Sequence, residues 1–536
     1  MSLISLEYMI FFVVVVAIHF ALPHRVRWAY LLAVSYLFYM WMDPKYALLI
    51  LTTTIVVYAT AIAMHGKTPR IKKICVALSV ASNLGILFVF KYYNFFNASI
   101  KEMLAPLGLG YDMPALSLLL PVGISFYTFQ ALGYTIDVYR GTREPERHFG
   151  IFALFVSFFP VLLSGPIERS TTLMPQLWKK VDFDYDRVTD GLKLMAWGFF
   201  QKLVIADRLG VYVNLVYNDP QKIHGLPLLL ATYFFAVQIY CDFSGYTDIA
   251  IGTAQVMGYD LIPNFRRPFY ASNIAELWRR WHMSLISWLR DYLYIPLGGN
   301  RVPRWRLYFN ILTVFTLSGL WHGAQWTLVI WGALNGVLII LGRVTLTLRD
   351  RARALIFGGI AKIPTPAYFV IAALFALAGA AGGALHLPGG YGARIAAGAA
   401  GAAVLALGIL RTRGALFDKF LGTAMKLWMI FVTFQLFTLG AIFFRSRNVK
   451  DAWYILTHFP GTNFKDLKLV FSVTDFLQMA GVIIILNVIN LLQERGSVRE
   501  MLRKKPLALR WSLYYLLVMS IIGMMYKTAQ FIYFQF

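Results

Sequence analysis

The chain has 536 residues, 59% of them hydrophobic and only 14% charged, with a mean hydropathy of +0.61. No water-soluble globule covers that much apolar surface, so a soluble domain is excluded. The formal net charge of +24 does not point to nucleic acid. Lys and Arg collect between apolar runs, at Lys67–Lys73, Arg301–Arg306, Arg343–Arg353, Arg411–Lys419 and Arg499–Arg510, as expected of cytoplasmic loops facing anionic lipid.

Taken in chain order, the first apolar run, Leu3–Leu22, lacks a positive leader and a small-residue cleavage site, carries Glu7 early and is followed by Arg25 and Arg27. It reads as a retained first span with an outside N-terminus rather than a cleaved signal. Runs follow at Trp28–Trp41, Tyr46–Met64, Ile74–Phe90, Leu116–Tyr134, Ile151–Leu163, Gly191–Val213 and Pro227–Tyr240, then at Tyr308–Ser318 and Trp326–Leu341. Two Gly/Ala-rich segments, Tyr368–Leu385 and Ile395–Leu410, are joined by Pro388-Gly389-Gly390, which is turn chemistry, and are expected to pack as a close hairpin. Trp428–Phe444, Phe476–Leu492 and Trp511–Met525 complete the set.

The expectation is an all-α polytopic integral membrane protein with roughly a dozen spans of about 20 residues. Several runs are too short for a bilayer, which calls for tilted, broken or re-entrant helices around a protein-lined cavity. The whole chain reads as a single membrane domain, with a core over about residues 115–345 and the hairpin over about 368–410 as an addition. Cys75 and Cys241, the two cysteines, supply no disulfide framework, and no zinc-site spacing appears.

Chemistry concentrates between Gln238 and Trp331. The sequence Ser318-Gly319-Leu320-Trp321-His322-Gly323-Ala324 puts an ionisable side chain inside an apolar run. Such a group is a functional-site hypothesis, because polar side chains are expensive at membrane depth. Desolvation favours the neutral imidazole, which can take a proton from an acceptor hydroxyl. The competing reading is a core histidine bonded to a neighbouring helix. Gly319 and Gly323, four residues apart, would leave room for a substrate on one helix face.

A second cluster is Glu276-Leu277-Trp278-Arg279-Arg280-Trp281-His282-Met283-Ser284. On a continuous helix Arg279, His282 and Ile286 share a stripe, and Glu276 can pair with Arg280. An interfacial helix with Arg on lipid headgroups and Trp at the boundary competes with a substrate-binding role, in which Arg279 and Arg280 would suit the phosphates of coenzyme A. In a third cluster, Tyr240–Asp248, Asp242 or Asp248 could orient a histidine or a substrate hydroxyl. Pairing of one of them with Arg266, Arg267 or Arg279 is the favoured alternative. Cys241 and Ser244 have no evident base for nucleophilic catalysis. No histidine carries an acid at the His-x4-Asp spacing, and neither a phosphate loop nor a Gly-x-Ser-x-Gly elbow is present.

Together these stretches resemble the membrane-bound O-acyltransferase family, and in particular its bacterial alginate O-acetyltransferase branch. The likeness rests on Pro121–Gln130, Ser164–Arg169, Tyr240–Gly252, Asn264–Phe269, Trp278–Gly299, Ser318–Ala324 and the tail Phe531–Phe536. The resemblance implies a ring of tilted helices around a central funnel, with His322 as the catalytic histidine and His282 as the second polar residue facing it. Trp321, Trp278, Arg279, Arg280 and Asp242 are the expected substrate-binding residues, with no metal and no permanently bound cofactor. It further implies acetyl transfer from acetyl-CoA, across a bacterial inner membrane, to an exopolysaccharide or envelope glycan acceptor by way of a periplasmic or extracellular acetyltransferase-like partner protein. D-alanyl transfer from an acyl-carrier protein to teichoic acid is the alternative within the family; a polymer-export or transport component is the alternative outside it.

Overall fold

The computed structural model describes residues 1–384, 390–459, 472–524 and 531–532. They are mostly helical, with no β-strand among the described residues. Among the described residues six helices are long and apolar enough to cross a membrane: Tyr46–Met64, Pro69–Leu107, Leu226–Met257, Trp326–Val344, Ala415–Arg445 and Val473–Leu492. Other apolar runs fold as shorter or broken pieces. Leu6–Ala21 has 16 residues, about 24 Å at 1.5 Å per residue and short of a core about 30 Å thick. The run at Gly191–Val213 is divided between Tyr185–Phe199, a π-helical stretch Phe200–Ala206 and Asp207–Tyr217.

The described chain separates into two compact units. One comprises Met1–Pro268, Trp278–Val337 and Phe437–Phe536; the other comprises Phe269–Leu277 and Leu338–Leu436. In the second unit Thr365–Ala384 and Gly390–Arg411 pack along each other, as expected of small-residue faces. The joining turn, Pro388-Gly389, lies outside the described residues.

In the first unit the 32-residue helix Leu226–Met257 is buried along most of its length. It meets Tyr185–Phe199 through two glycine pairs in register. A Cβ on Gly198 would lie 2.6 Å from the Gly245 carbonyl oxygen, and one on Gly252 would lie 2.7 Å from that of Gly191. With no side chain at these positions the backbones approach directly, which is the usual way membrane helices associate. The first helix lies on the same element, burying Tyr8, Phe12, Val15 and His19 as one helical stripe, and the Tyr8 and Thr253 hydroxyls are 2.7 Å apart.

Beside this packing lies a buried ion cluster. Lys202 Nζ, in the π-helical stretch, stands 2.6 Å from both Asp207 Oδ1 and Asp242 Oδ1. The other oxygen of Asp242 accepts the Ile532 backbone N–H at 2.8 Å. Phe531 packs on Tyr246 with centroids 4.1 Å apart, and Ser2 Oγ is 3.1 Å from the Tyr246 hydroxyl. Residues near both ends of the sequence therefore meet at one tyrosine.

Candidate active site

His322 is the last residue of the helix Arg304–His322, which stops where Gly323 turns to an extended backbone. Its position depends on the next helix, Trp326–Val344. A Cβ on Gly319 would sit 2.2 Å from the Leu328 carbonyl oxygen, and one on Gly332 would sit 2.3 Å from that of Phe315. The bare face at Gly319 is therefore filled by a crossing helix, not left open for substrate as the glycine spacing had suggested. His322 is buried, with ring centroids of Trp321, Trp331 and Phe444 at 4.9, 5.1 and 5.4 Å.

His282 reaches the same place from a break in the chain. Ile274–Arg280 ends before it and Met283–Leu289 begins after it, with His282 in the left-handed region at φ 43°, ψ 52°. The stripe expected of one continuous helix does not form. Instead the break turns His282 inward, 1% exposed, with its ring centroid 6.4 Å from that of His322. Left-handed backbone in a non-glycine residue is uncommon and persists where surrounding contacts fix it.

Those contacts come from Asn264. Its Oδ1 accepts the Ser284 N–H at 3.2 Å and the Ser284 hydroxyl at 2.6 Å, and lies 3.3 Å from His282 Nδ1. The Ser284 backbone can only donate, so the Asn264 atom facing it is the oxygen. Nδ1 of His282 accordingly carries the hydrogen, and Nε2 presents a lone pair. Nε2 is buried and meets no hydrogen-bond partner among the described residues.

The loop bearing Asn264 is itself anchored. Glu168, 2% exposed, accepts the Ile262 N–H at 2.8 Å and the Thr172 hydroxyl at 3.2 Å. Burial pushes its carboxyl up to about 7, against the pull of those hydrogen bonds. The adjacent Ile167 N–H donates to Ser284 Oγ at 3.1 Å. Below the histidines, the Trp288 indole stacks on Phe129 at 3.9 Å and donates to the Phe129 carbonyl at 2.8 Å. Trp321 stacks on Phe129 at 5.4 Å.

A pocket of about 90 Å³ opens beside His322, lined among others by Lys91, Gly123, Ser125, Phe126 and Trp321. Two helices bring one end to it, Ile124–Arg140 through its first turn and Arg304–His322 through its last, and a third, Pro69–Leu107, passes it near mid-length at Lys91. The opposite ends of those two are basic, with Arg140 on one and Arg304 and Arg306 on the other, and Arg70, Lys72 and Lys73 lie at the start of the third. Arg140 donates to the Asp291 carbonyl at 3.0 Å, and Asn310 to the Leu297 carbonyl at 3.1 Å, which ties two of those ends to the segment that follows His282.

The other residues singled out in the sequence fall into different places. Trp321 lines the pocket, and Trp278 is buried against Phe315 and Trp331. Arg279 is exposed; Arg280 is half-buried and donates to the Arg267 carbonyl at 3.4 Å. Glu276 accepts the Ser272 N–H and hydroxyl at 2.9 and 2.7 Å. Asp242 is held by Lys202, not by an arginine as expected, and Asp248 accepts the Gln201 amide at 2.7 Å. Cys241 is a buried free thiol, and Ser244 donates to Gln201.

Sequence reasoning passed over Asn264, Lys91 and Lys202. Lys202 shares the run Gly191–Val213 with Lys193, Asp207 and Arg208, which made it less conspicuous than His322.

The profile of MBOAT, the membrane-bound O-acyltransferase family, matches residues 146–376, a stretch containing both histidines. The probable alginate O-acetylase AlgI of Pseudomonas putida is 37% identical over 336 residues, 62% of this chain and 69% of that protein. The peptidoglycan O-acetyltransferase of Helicobacter pylori is 33% identical over 59% of this chain and 64% of its own length. The teichoic acid D-alanyltransferase of Bacillus subtilis is 30% identical over 41% and 58%. Other alginate O-acetylases are matched over 64% and 65% of their length, just under two thirds. By these matches the chain belongs to the membrane-bound O-acyltransferase family.

Proposed function

We propose that the protein is a bacterial inner-membrane O-acetyltransferase. It takes an acetyl group from acetyl-CoA at the cytoplasmic face and passes it outward, by way of a partner protein outside the membrane, to an exopolysaccharide or other envelope glycan. The observation that carries this reading is the position of His322: in a pocket at the end of two helices, Ile124–Arg140 and Arg304–His322, whose other ends are basic. Basic ends stay cytoplasmic, so the pocket faces outward and admits the acceptor, while the donor arrives from the opposite side.

In this reading the acceptor hydroxyl enters the pocket and gives its proton to His322 as it attacks the thioester carbonyl. His282, its Nδ1–H committed to Asn264, offers Nε2 to orient the reacting groups. Arg279 and Arg280 bind the CoA phosphates, and Trp278 and Trp321 wall the site. Asp242, buried against Lys202, supports the core and is not assigned to substrate. The names of the alginate and peptidoglycan relatives support a polysaccharide acceptor.

The test is labelled acetyl transfer from acetyl-CoA in membranes supplied with the organism's periplasmic fraction. General-base assistance is typically worth about 10²–10⁴-fold, so His322→Ala is expected to lose activity by that factor while still folding. Undiminished transfer by His322→Ala would overturn the assignment. The match to a D-alanyltransferase favours one second reading, a D-alanyl donor on a carrier protein. Transfer from the charged carrier but not from acetyl-CoA would select it; the longer and closer matches to O-acetyltransferases favour acetyl.

A further inference from the structure

Lys91 lies at a π-helical turn, Phe88–Tyr92, in a long apolar helix. It is half-buried and lines the pocket beside His322. Its Nζ donates to the Trp321 carbonyl at 2.7 Å and the His322 carbonyl at 3.2 Å, and sits 5.9 Å from the centre of the Trp321 ring. Those carbonyls close the helix Arg304–His322 and have no acceptor role within it, and the negative end of a helix dipole favours a cation there. No carboxylate lies within ion-pairing distance of Nζ among the described residues. An ammonium has three hydrogens, so with two donated to carbonyls one remains for the pocket. A cation without a carboxylate partner at this depth is costly, and that cost points to an anion that forms in the pocket.

We propose that Lys91 stabilises the negative charge that develops during acyl transfer, the oxyanion of the tetrahedral intermediate formed beside His322. The inference rests on the transfer reading above. The acceptor oxygen bonds to the thioester carbonyl carbon, its proton goes to the imidazole, and the carbonyl π electrons move to the oxygen facing Lys91. Collapse of the intermediate restores the carbonyl and breaks the C–S bond, and the leaving thiolate takes a proton from the imidazolium. Lys91 stays protonated throughout. The two backbone carbonyls fix its ammonium before reaction, which is the preorganisation that makes such a charge effective.

Three variants of the full-length protein separate charge from helix capping, using labelled acetyl-CoA and the organism's own envelope preparation. Lys91→Gln keeps an N–H donor for the carbonyls but not the charge; Lys91→Arg keeps both; Lys91→Met keeps neither. Loss of one oxyanion contact typically lowers kcat by about 10²–10³-fold. That loss is expected in Lys91→Gln and Lys91→Met at unchanged KM for acetyl-CoA and for acceptor, with Lys91→Arg retaining at least about a tenth of wild-type kcat. Thermal unfolding in detergent identifies any variant that fails to fold, and Lys91→Gln with Lys91→Arg decide the question if Lys91→Met does. Wild-type kcat in folded Lys91→Gln would make the residue a cap only, and a raised KM with unchanged kcat would make it a site for a ground-state anion; either result overturns the proposal. His322-dependent transfer by the wild type is the internal reference: if that is absent, the transfer reading itself falls, a different result from either of these.

Discussion

His282 and Asn264 form a unit in which backbone strain and a hydrogen bond serve the same end. Left-handed backbone costs a non-glycine residue roughly 1–2 kcal/mol, and Asn tolerates it better than most. His282→Asn is expected to fold with a thermal transition close to wild type yet transfer little acetyl, whereas β-branched His282→Val should lose stability as well as activity; equal stability of the two would contradict the role given to the backbone. Asn264→Ala removes the acceptor for His282 Nδ1 and for both donors of Ser284. Leaving a buried donor unsatisfied costs about 1–3 kcal/mol, so this variant should be less stable and at least about tenfold slower, as measured by unfolding and by initial rates. His322 was legible in the sequence because an ionisable side chain inside an apolar run is conspicuous by itself. Asn264 was not, since an uncharged amide in a loop acquires meaning only when the chain folds back onto His282. Lys91 was hidden by its place just past the run Ile74–Phe90, where a lysine reads as an interfacial end.

At the scale of elements, the site is held by helix crossings and by one anchored loop. Gly319→Ala places a methyl against the Leu328 carbonyl, an overpacking that costs about 1–3 kcal/mol. Because His322 ends the same helix, the variant should lose acetyl transfer disproportionately to its fall in melting temperature; a stable, fully active Gly319→Ala would show that the crossing does not position the histidine. Glu168 anchors the Asn264 loop and carries a pH signature. Its folded value of about 7 is above the ordinary 4.5, so its protonated form stabilises the fold fully below that ordinary value, and the contribution is lost as pH rises through about 7. At ~1.4 kcal/mol per pH unit the loss is on the order of 3 kcal/mol at most. Glu168→Gln, which cannot ionise, should flatten the decline in melting temperature between about pH 4.5 and pH 7; an unchanged slope would remove Glu168 as its source. The sequence marked both stretches through family likeness, and the glycines were read for space instead of contact, because spacing alone does not say what fills a bare face.

For the whole molecule, the proposed orientation, basic helix ends on the cytoplasmic side, can be measured. Leu109 and Met113, both exposed, follow the end of the helix Pro69–Leu107 remote from Arg70, and Arg304 is at the basic end of the His322 helix. The native cysteines are buried, so Leu109→Cys should react with a membrane-impermeant maleimide from outside and Arg304→Cys only after permeabilisation. The reverse pattern would exchange the donor and acceptor faces. The helical membrane class was readable from composition, whereas the positions of the breaks within it were not, since an apolar run does not disclose where a π-helical stretch or a left-handed residue will divide it. The meeting of Ser2, Tyr246 and Phe531 has a consequence in time. Ribosomal synthesis runs from the N-terminal side, so the Asp242 oxygen that accepts the Ile532 N–H has no such donor until Ile532 has been added. Phe243, which lies between Phe531 and His282, is covered on that side only then. The neighbourhood of the second histidine is thus completed only once Phe531 and Ile532 have been made, and a chain interrupted before Phe531 carries both histidines without the finished wall behind them.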